Sequence, residues 1–224
     1  MARDKVVTAW HCTVDKDSDT GAAAVSLEVV RESDGARANV TTCAASPGLD
    51  VAALTLDEPP WDGQWETPQF ARLDRTTAGE LTDCQAVGYP LFQRDDTDRQ
   101  RNVAELHGAI RQLEDAASGF LLLRDEKLND VHDPKRDMNI PTSVTGTDLK
   151  PGSAWGGLSG ALVFHQGQAL GVVVEHHPHQ GGSAIRILLF ERLTEATDPD
   201  AVAVARAIGL PSSPGPAVGG PGAG

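Results

Sequence analysis

The stretch that decides the fold is Gly156-Gly157-Leu158-Ser159-Gly160-Ala161-Leu162-Val163. Glycines on both sides of the serine allow the backbone to turn sharply, and the apolar residues after the turn predict a strand. A second apolar strand is predicted over Ala169–Val174, after the turn His165-Gln166-Gly167-Gln168. The stretch therefore predicts a serine in a tight turn that leads into a pair of strands.

Two earlier segments carry the residue types that such a serine needs. Val6-Val7-Thr8-Ala9-Trp10-His11-Cys12 places a histidine after a short apolar run, and Leu49-Asp50-Val51-Ala52-Ala53-Leu54-Thr55-Leu56 places an aspartate before another. A serine hydroxyl is a poor nucleophile at neutral pH and needs a base such as an imidazole. A carboxylate bonded to the far nitrogen selects the productive tautomer of that imidazole. His11, Asp50 and Ser159 are therefore the candidate catalytic residues.

Together, the three segments resemble the trypsin/chymotrypsin superfamily of serine peptidases. In that family a Thr-Ala-x-His-Cys turn, an Asp that leads an apolar strand and a Gly-x-Ser-Gly turn occur in this chain order. The resemblance covers about residues 5–208. It implies that Ser159 is the nucleophile, His11 the base and Asp50 the residue that orients His11. It also implies an oxyanion hole formed by the amides of Gly157 and Ser159.

The expected fold is all-β, with two six-stranded antiparallel β-barrels and one short C-terminal helix. The first barrel is expected over 1–95, with His11 and Asp50, and the second, with Ser159 and the helix, over 103–210. A charged break at 94–102 separates them. Asp198-Pro199 supplies an N-cap and a first-turn proline for the helix. Residues 211–224 are rich in Pro and Gly, which predicts a disordered tail or a linker.

The N-terminus departs from the family pattern. Only ten residues precede His11, where the family has two further strands. The first barrel is therefore expected to be N-terminally truncated: either the start at Met1 is too late, or the barrel is open at a strand edge. An open edge is a liability for unwanted pairing.

Substrate specificity is read from the same resemblance. The floor of the primary pocket corresponds to Ser153, and its wall to Val174, Glu175 and His176. A small uncharged floor argues against a strict preference for Arg or Lys, although Glu175 would restore some of that preference if it points inward. Leu158 stands where zymogen-activated members have an aspartate, which indicates a bacterial, HtrA-type domain.

Composition excludes several other function classes. The chain has 224 residues, with 32 Asp and Glu against 19 Lys and Arg and a formal net charge of −13. That balance argues against nonspecific binding to nucleic acid or to anionic lipid. No apolar run of about 18 residues predicts a membrane span, and no signal peptide is readable, so a cytoplasmic location is predicted.

Cysteine and histidine usage predicts no metal or cofactor. The chain has three cysteines, Cys12, Cys43 and Cys84. An odd number without zinc-ligand spacing predicts reduced thiols, and Cys12 is expected to be buried. The histidines His176, His177 and His179 complete no recognised metal-binding pattern.

The sequence thus predicts a serine endopeptidase that cleaves protein or peptide substrates through an acyl-enzyme. The tail suggests a fused or associated regulatory domain. One alternative is a catalytically inactive trypsin-like domain that serves as a protein-binding module. A second is an esterase that uses the same three residues.

Overall fold

The computed structural model describes ten parts of the chain. They are residues 3–14, 26–31, 33–59, 68–73, 78–90, 103–114, 120–124, 157–176, 184–211 and 217–218. Thirteen strands lie within these ranges: β1 (Lys5–Thr8), β2 (Glu28–Val30), β3 (Arg37–Ser46), β4 (Val51–Leu56), β5 (Gln69–Phe70), β6 (Arg72–Leu73), β7 (Glu80–Gly88), β8 (Ala104–Arg111), β9 (Phe120–Arg124), β10 (Leu162–His165), β11 (Gln168–His176), β12 (Ala184–Leu189) and β13 (Ala217–Val218).

The N-terminal part forms a four-stranded antiparallel sheet, called here the first sheet. Its strand order is β1-β4-β3-β2, and in the described residues it does not close on itself. Strand β4 lies inside the sheet and is almost entirely buried, as its mostly apolar sequence predicts. The first sheet is therefore a half-barrel, where a six-stranded barrel with a missing N-terminal part was expected.

The C-terminal part closes into a six-stranded antiparallel barrel. Strands follow one another in the order β10-β7-β8-β9-β12-β11, and β11 pairs with β10 to complete the ring. Strand β5 adds to β11 in parallel on the outside. Closure leaves the six strands paired on both sides, which removes exposed sheet edges.

Two apolar clusters hold these parts together. The barrel interior contains Leu106, Ile110, Leu121, Leu123, Leu158, Val163, Val173, Ile185 and Ile187, among others. The second cluster lies between the two halves: Val7 and Val51 of the first sheet pack with Val172 and Val174 of β11 and with Val204. The first sheet is thus stabilised by its contact with the outer face of the barrel.

Two α-helices follow β12: α1 (Phe190–Glu195) and α2 (Pro199–Ala207). The predicted N-cap of α2 is present, since the amide of Ala201 donates to Oδ2 of Asp198 at 3.0 Å. Helix α1 was not expected, because the apolar run before it reads as an uninterrupted strand. Phe190 of α1 packs edge-to-face on Phe70, with ring centroids 5.2 Å apart.

The predicted fold class is confirmed: the chain is mostly β, a trypsin-like double barrel with one barrel closed and the other half-formed. Strand β7 precedes the charged break at 94–102 yet pairs within the closed barrel, which differs from the expected contents of 1–95. The domain limits themselves stay a prediction.

From the predicted tail, β13 pairs in parallel with β6. None of the helices described is long and apolar enough to cross a membrane.

Candidate active site

The segment that carries His11 is a strand followed by a single tight turn. Strand β1 ends at Thr8, and a 3-10 turn covers Trp10–Cys12, with the amide of Cys12 bonded to the carbonyl of Ala9 at 3.1 Å. The hydroxyl of Thr13 donates to the carbonyl of Trp10 at 2.7 Å and closes the turn. The backbone around His11 is therefore held by local hydrogen bonds.

Asp50 is presented by an unusual backbone conformation. It follows the 3-10 turn Pro47–Leu49 and has φ of 51°, in the left-handed region that only glycine enters freely. Its amide bonds to the carbonyl of Pro47, and its own carbonyl accepts from the amide of Trp10 at 3.1 Å. Backbone strain of this kind tends to occur where a side chain must be aimed, here at the turn that carries His11.

His11 and Asp50 form a two-point contact. The ring Nδ1 of His11 lies 2.8 Å from Oδ2 of Asp50, and the backbone amide of His11 donates to Oδ1 at 3.0 Å. Both carboxylate oxygens are thus engaged by one residue, which fixes the ring plane as well as the distance. A proton on Nδ1 leaves Nε2 free to accept, which is the tautomer that a general base needs.

This contact changes the acid–base behaviour of the imidazole. The hydrogen bond that His11 donates to Asp50 is the main cause that raises the pKa of His11 from 6.5 to about 10; the neighbouring Cys12 adds to the effect and partial burial opposes it. The half-buried carboxylate therefore favours the imidazolium form. A proton taken up by His11 is held strongly at this position.

Ser159 lies in a tight turn at the entrance to β10. Gly157 and Gly160 have φ of 94° and 93°, so both positions use conformations that favour glycine. Between them, Leu158 is fully buried in the barrel interior and anchors the turn. The amide of Gly160 bonds to the carbonyl of Val173 at 2.8 Å, which fixes the turn against β11.

The histidine strand and the serine turn touch each other. A Cβ added to Gly160 would lie 2.5 Å from Oγ1 and 3.2 Å from Cα of Thr8. Thr8 is three residues before His11, and Gly160 follows Ser159 directly. This close approach brings the segments of all three candidate catalytic residues to one place. Thr8 belongs to the Thr-Ala-x-His-Cys motif, but its contact with Gly160 could not be read from that motif.

The predicted pocket residues have mixed outcomes. Ser153 and the side chain of His176 lie outside the described residues. Val174 is buried in the cluster between the two halves. Glu175 is exposed, and Nη1 of Arg186 donates to its Oε1 at 2.6 Å. The assignment of Ser153, Val174, Glu175 and His176 to a primary pocket stays a prediction.

The cysteines differ in burial from the expectation. Cys12 is exposed, not buried, and so is Cys43, whereas Cys84 lies inside the barrel. All three are free thiols. Across the described ranges, no cluster of three or more His, Cys, Asp or Glu side chains could hold a metal ion.

Comparison with known proteins identifies the family to which the chain belongs. A family model described as "Trypsin-like peptidase domain" matches residues 1–172, and the chain belongs to that family. Among solved structures, it is similar to a thermostable serine protease, AL20, from an extremophilic microorganism, with 13% identity, a TM-score of 0.50 and coverage of 83% of this chain and 78% of that one. It is also similar to the Rv3671c protease from M. tuberculosis in its active form, with 17% identity, a TM-score of 0.48 and coverage of 96% and 73%. No match is found among curated protein sequences.

Proposed function

We propose that this trypsin-like peptidase domain is an active serine endopeptidase in which His11, Asp50 and Ser159 form a catalytic triad. The observation that carries the proposal is the two-point contact of His11 with Asp50, 2.8 and 3.0 Å long. A histidine packed only for stability would not need both oxygens of one strained aspartate. Family membership supports the same reading.

In the proposed mechanism, Oγ of Ser159 attacks the carbonyl carbon of the scissile peptide bond. His11 takes the hydroxyl proton as the C–O bond forms and then gives that proton to the leaving amine as the C–N bond breaks. Water then attacks the acyl-enzyme in the same way, with His11 taking its proton and returning it to Oγ of Ser159. The carboxylic acid product is released and Ser159 is restored. Asp50 stabilises the imidazolium in both steps, in agreement with the raised pKa of His11.

The developing oxyanion is proposed to bind the amides of Gly157 and Ser159. The positive φ of Gly157 supports this role, because a glycine there can turn the following amides toward one point. Loss of one such donor typically costs about 3–4 kcal/mol of transition-state stabilisation. No cofactor enters the proposal.

The finer predictions from the sequence belong to the same proposal. They are an HtrA-type bacterial relationship, a cytoplasmic location, protein or peptide substrates and a fused or associated regulatory domain. Within the described residues the first sheet ends in unpaired strand edges. This favours the alternative of a silent binding module, because such an edge is a template for pairing with another chain.

A fluorophosphonate probe separates the two functions. The probe reacts with an activated serine, so we expect labelling of the wild-type protein and none of Ser159→Ala or His11→Ala. The matched control is Ser33→Ala, which removes an exposed serine from a turn in the first sheet and should label like the wild type. Well-folded wild-type protein that fails to label would overturn the enzyme and leave the binding module. Paired peptide and ester assays then separate a peptidase from an esterase.

A further inference from the structure

Apolar side chains are exposed on the closed barrel at the end where the serine turn lies. In the described residues, four large apolar side chains are exposed: Val30, Val87, Val103 and Leu113. Val87, which is 51% exposed, lies near the end of β7, and Val103, which is 52% exposed, directly precedes β8. Tyr89, the single tyrosine of the chain, follows β7 and is half-buried. None of the apolar clusters formed by the described residues contains Val87, Tyr89 or Val103, so core packing does not explain them.

Strand register places Tyr89 beside the serine turn. Strand β10 pairs antiparallel with β7, and this register, continued toward the serine turn, puts Ala161 opposite Gly88. A Cβ added to Gly88 would lie 3.5 Å from Cβ of Ala161, in agreement with that pairing. The next pair in the same register is Gly160 with Tyr89. Directly opposed residues have Cα atoms about 5 Å apart, so Tyr89 lies about 5 Å from the residue that follows Ser159.

The other neighbour of β7 extends this row. The register of β7 with β8 ends at Gly88 opposite Ala104, and the next pair is Tyr89 with Val103. Gly88 and Ala104 are buried on the side of the barrel interior, and side chains alternate along a strand. Val87, Tyr89 and Val103 therefore lie together on the outer face. This surface, called here the apolar rim, begins beside the serine turn and extends about 10 Å away from it, the width of two strand spacings.

The serine turn has β11 on its other side. The amide of Gly160 donates to the carbonyl of Val173, and the amide of Val173 donates to the carbonyl of Ala161, each at 2.8 Å. Residues 174–176, which follow on β11, are those predicted for the primary pocket on the acyl side of the scissile bond. A peptide that crosses Ser159 from that side leads over the apolar rim with its leaving-group side. An extended chain covers 5 to 10 Å with about two to three residues.

We propose that the apolar rim binds a large apolar side chain of the substrate, one to three residues after the scissile bond. The proposal rests on the proposed function and adds to it the leaving-group half of the substrate. Contact with Val87, Tyr89 and Val103 removes apolar surface of both partners from water, which is favourable. A small side chain at the same position of the substrate gains much less.

Acyl transfer measures the leaving-group half of the substrate by itself. The protein receives an N-acetyl amino acid methyl ester, from a set with one ester for each amino acid, together with a tripeptide amide. The ester forms the acyl-enzyme, and the free amine of the tripeptide then competes with water. Its nitrogen forms a C–N bond to the acyl carbon, the bond from that carbon to Oγ of Ser159 breaks, and His11 moves the amine proton to Oγ. The ratio of peptide to acid product reports how well the tripeptide binds.

The probes are the amides of Leu-Ala-Ala, Ala-Leu-Ala and Ala-Ala-Leu, each compared with the amide of Ala-Ala-Ala. We expect one of the leucine probes to give about fivefold more transfer than the alanine probe, because it buries additional apolar surface on the rim. Val87→Thr and Val103→Thr add a hydroxyl with little change in size, and each should lower that preference. Tyr89→Ser removes the ring next to the serine turn and should reduce the preference to about one.

The matched control is Val30→Thr, which makes the same change at an exposed valine of β2 and should leave the preference unchanged. If Tyr89→Ser does not fold, the two valine variants decide, because both of those side chains are exposed. Equal transfer to all four probes, or a preference for leucine that the rim variants do not change, overturns the proposal while the enzyme stands. Wild-type protein that forms no acid from any ester overturns the proposed function, and the subsite with it.

Discussion

The closed barrel and the first sheet bury their apolar residues in different ways. The barrel surrounds its own interior, where large aliphatic side chains such as Leu106 and Leu121 are almost completely excluded from solvent. The first sheet has a small cluster of its own around Ala38 and Leu56. Its larger contribution, from Val7 and Val51, packs against β11 and α2. The barrel is thus self-sufficient, whereas the first sheet depends on docking.

The same difference divides the candidate active site. His11 and Asp50 both come from the first sheet and are joined by hydrogen bonds within it. Ser159 comes from the barrel, and the contact of Thr8 with Gly160 joins the two parts. The acid–base pair is therefore set by one region alone, while its alignment with the nucleophile is set by how the regions dock.

The largest predicted effect tests the pair inside the first sheet. Asp50→Asn keeps the shape of the side chain but removes the negative charge and reverses part of the hydrogen bonding to His11. We expect the rate of fluorophosphonate labelling to fall about 10⁴-fold, the order typical of losing the orienting carboxylate of a triad, with little change in circular dichroism. A loss below about tenfold would show that Asp50 does not orient the base.

The second prediction compares the cores of the two regions. Leu106→Ala in the barrel should cost about 4 kcal/mol in the free energy of unfolding, and Leu56→Ala in the first sheet about 2 kcal/mol. Leu106 is surrounded by barrel strands, whereas Leu56 belongs to a small cluster near an edge that can relax. Urea unfolding followed by circular dichroism gives both values. Equal losses in the free energy of unfolding would contradict the inference that the barrel is stable by itself and that the first sheet depends on docking.

Much of each region could be predicted from local sequence. The bounds of β4 match the apolar run that follows Asp50 in the sequence, Val51–Leu56, because this run lies between the polar residues Asp50 and Asp57. The cap of α2 at Asp198 was likewise readable from a local motif. Chain order and residue type were enough to select His11 and Asp50, which the structure brings into contact.

The remaining features depend on contacts between distant residues. Strand β7 precedes the charged break, so its place in the sequence predicts the first barrel, but its partners β8 and β10 lie beyond that break. The pairing of Glu175 with Arg186 follows an irregularity in register after Val173, which leaves no local signal. Thr8 is visible in the sequence only as part of the Thr-Ala-x-His-Cys motif, since its contact with Gly160 exists only once the two regions dock.

The third prediction breaks that docking contact. Gly160→Ala places a methyl group 2.5 Å from Oγ1 and 3.2 Å from Cα and Cβ of Thr8, so Thr8 must move away from the serine turn. We expect labelling to fall about 10²-fold, because catalysis is sensitive to displacements near 1 Å. Gly167→Ala is the matched control: it has a similar positive φ of 76° but open space around the added Cβ. Equal loss in both variants would assign the effect to backbone strain alone.

The fourth prediction concerns pH and the first sheet alone. With the pKa of His11 raised from 6.5 to about 10, the neutral base becomes more abundant throughout this interval. Labelling should rise with pH by up to tenfold per unit and should level off earlier in Asp50→Asn. The stabilisation from the imidazolium–carboxylate pair is complete below about pH 6.5 and is lost as the pH rises through about 10. A plateau near pH 7 in the wild type would contradict the raised pKa.

The smallest effect tests the helix that covers the first sheet. Asp198→Ala removes the acceptor for the amide of Ala201 at the start of α2 and should cost about 1 kcal/mol. Ala201 and Val204 of this helix lie in the cluster with Val7 and Val51, so the loss falls on the docked sheet more than on the barrel. Hydrogen exchange should therefore speed up in β1 and β4 but not in β8 and β9. Faster exchange in all four strands would mean that the two regions unfold as one unit. The barrel would then depend on the docked first sheet, as the first sheet depends on the barrel.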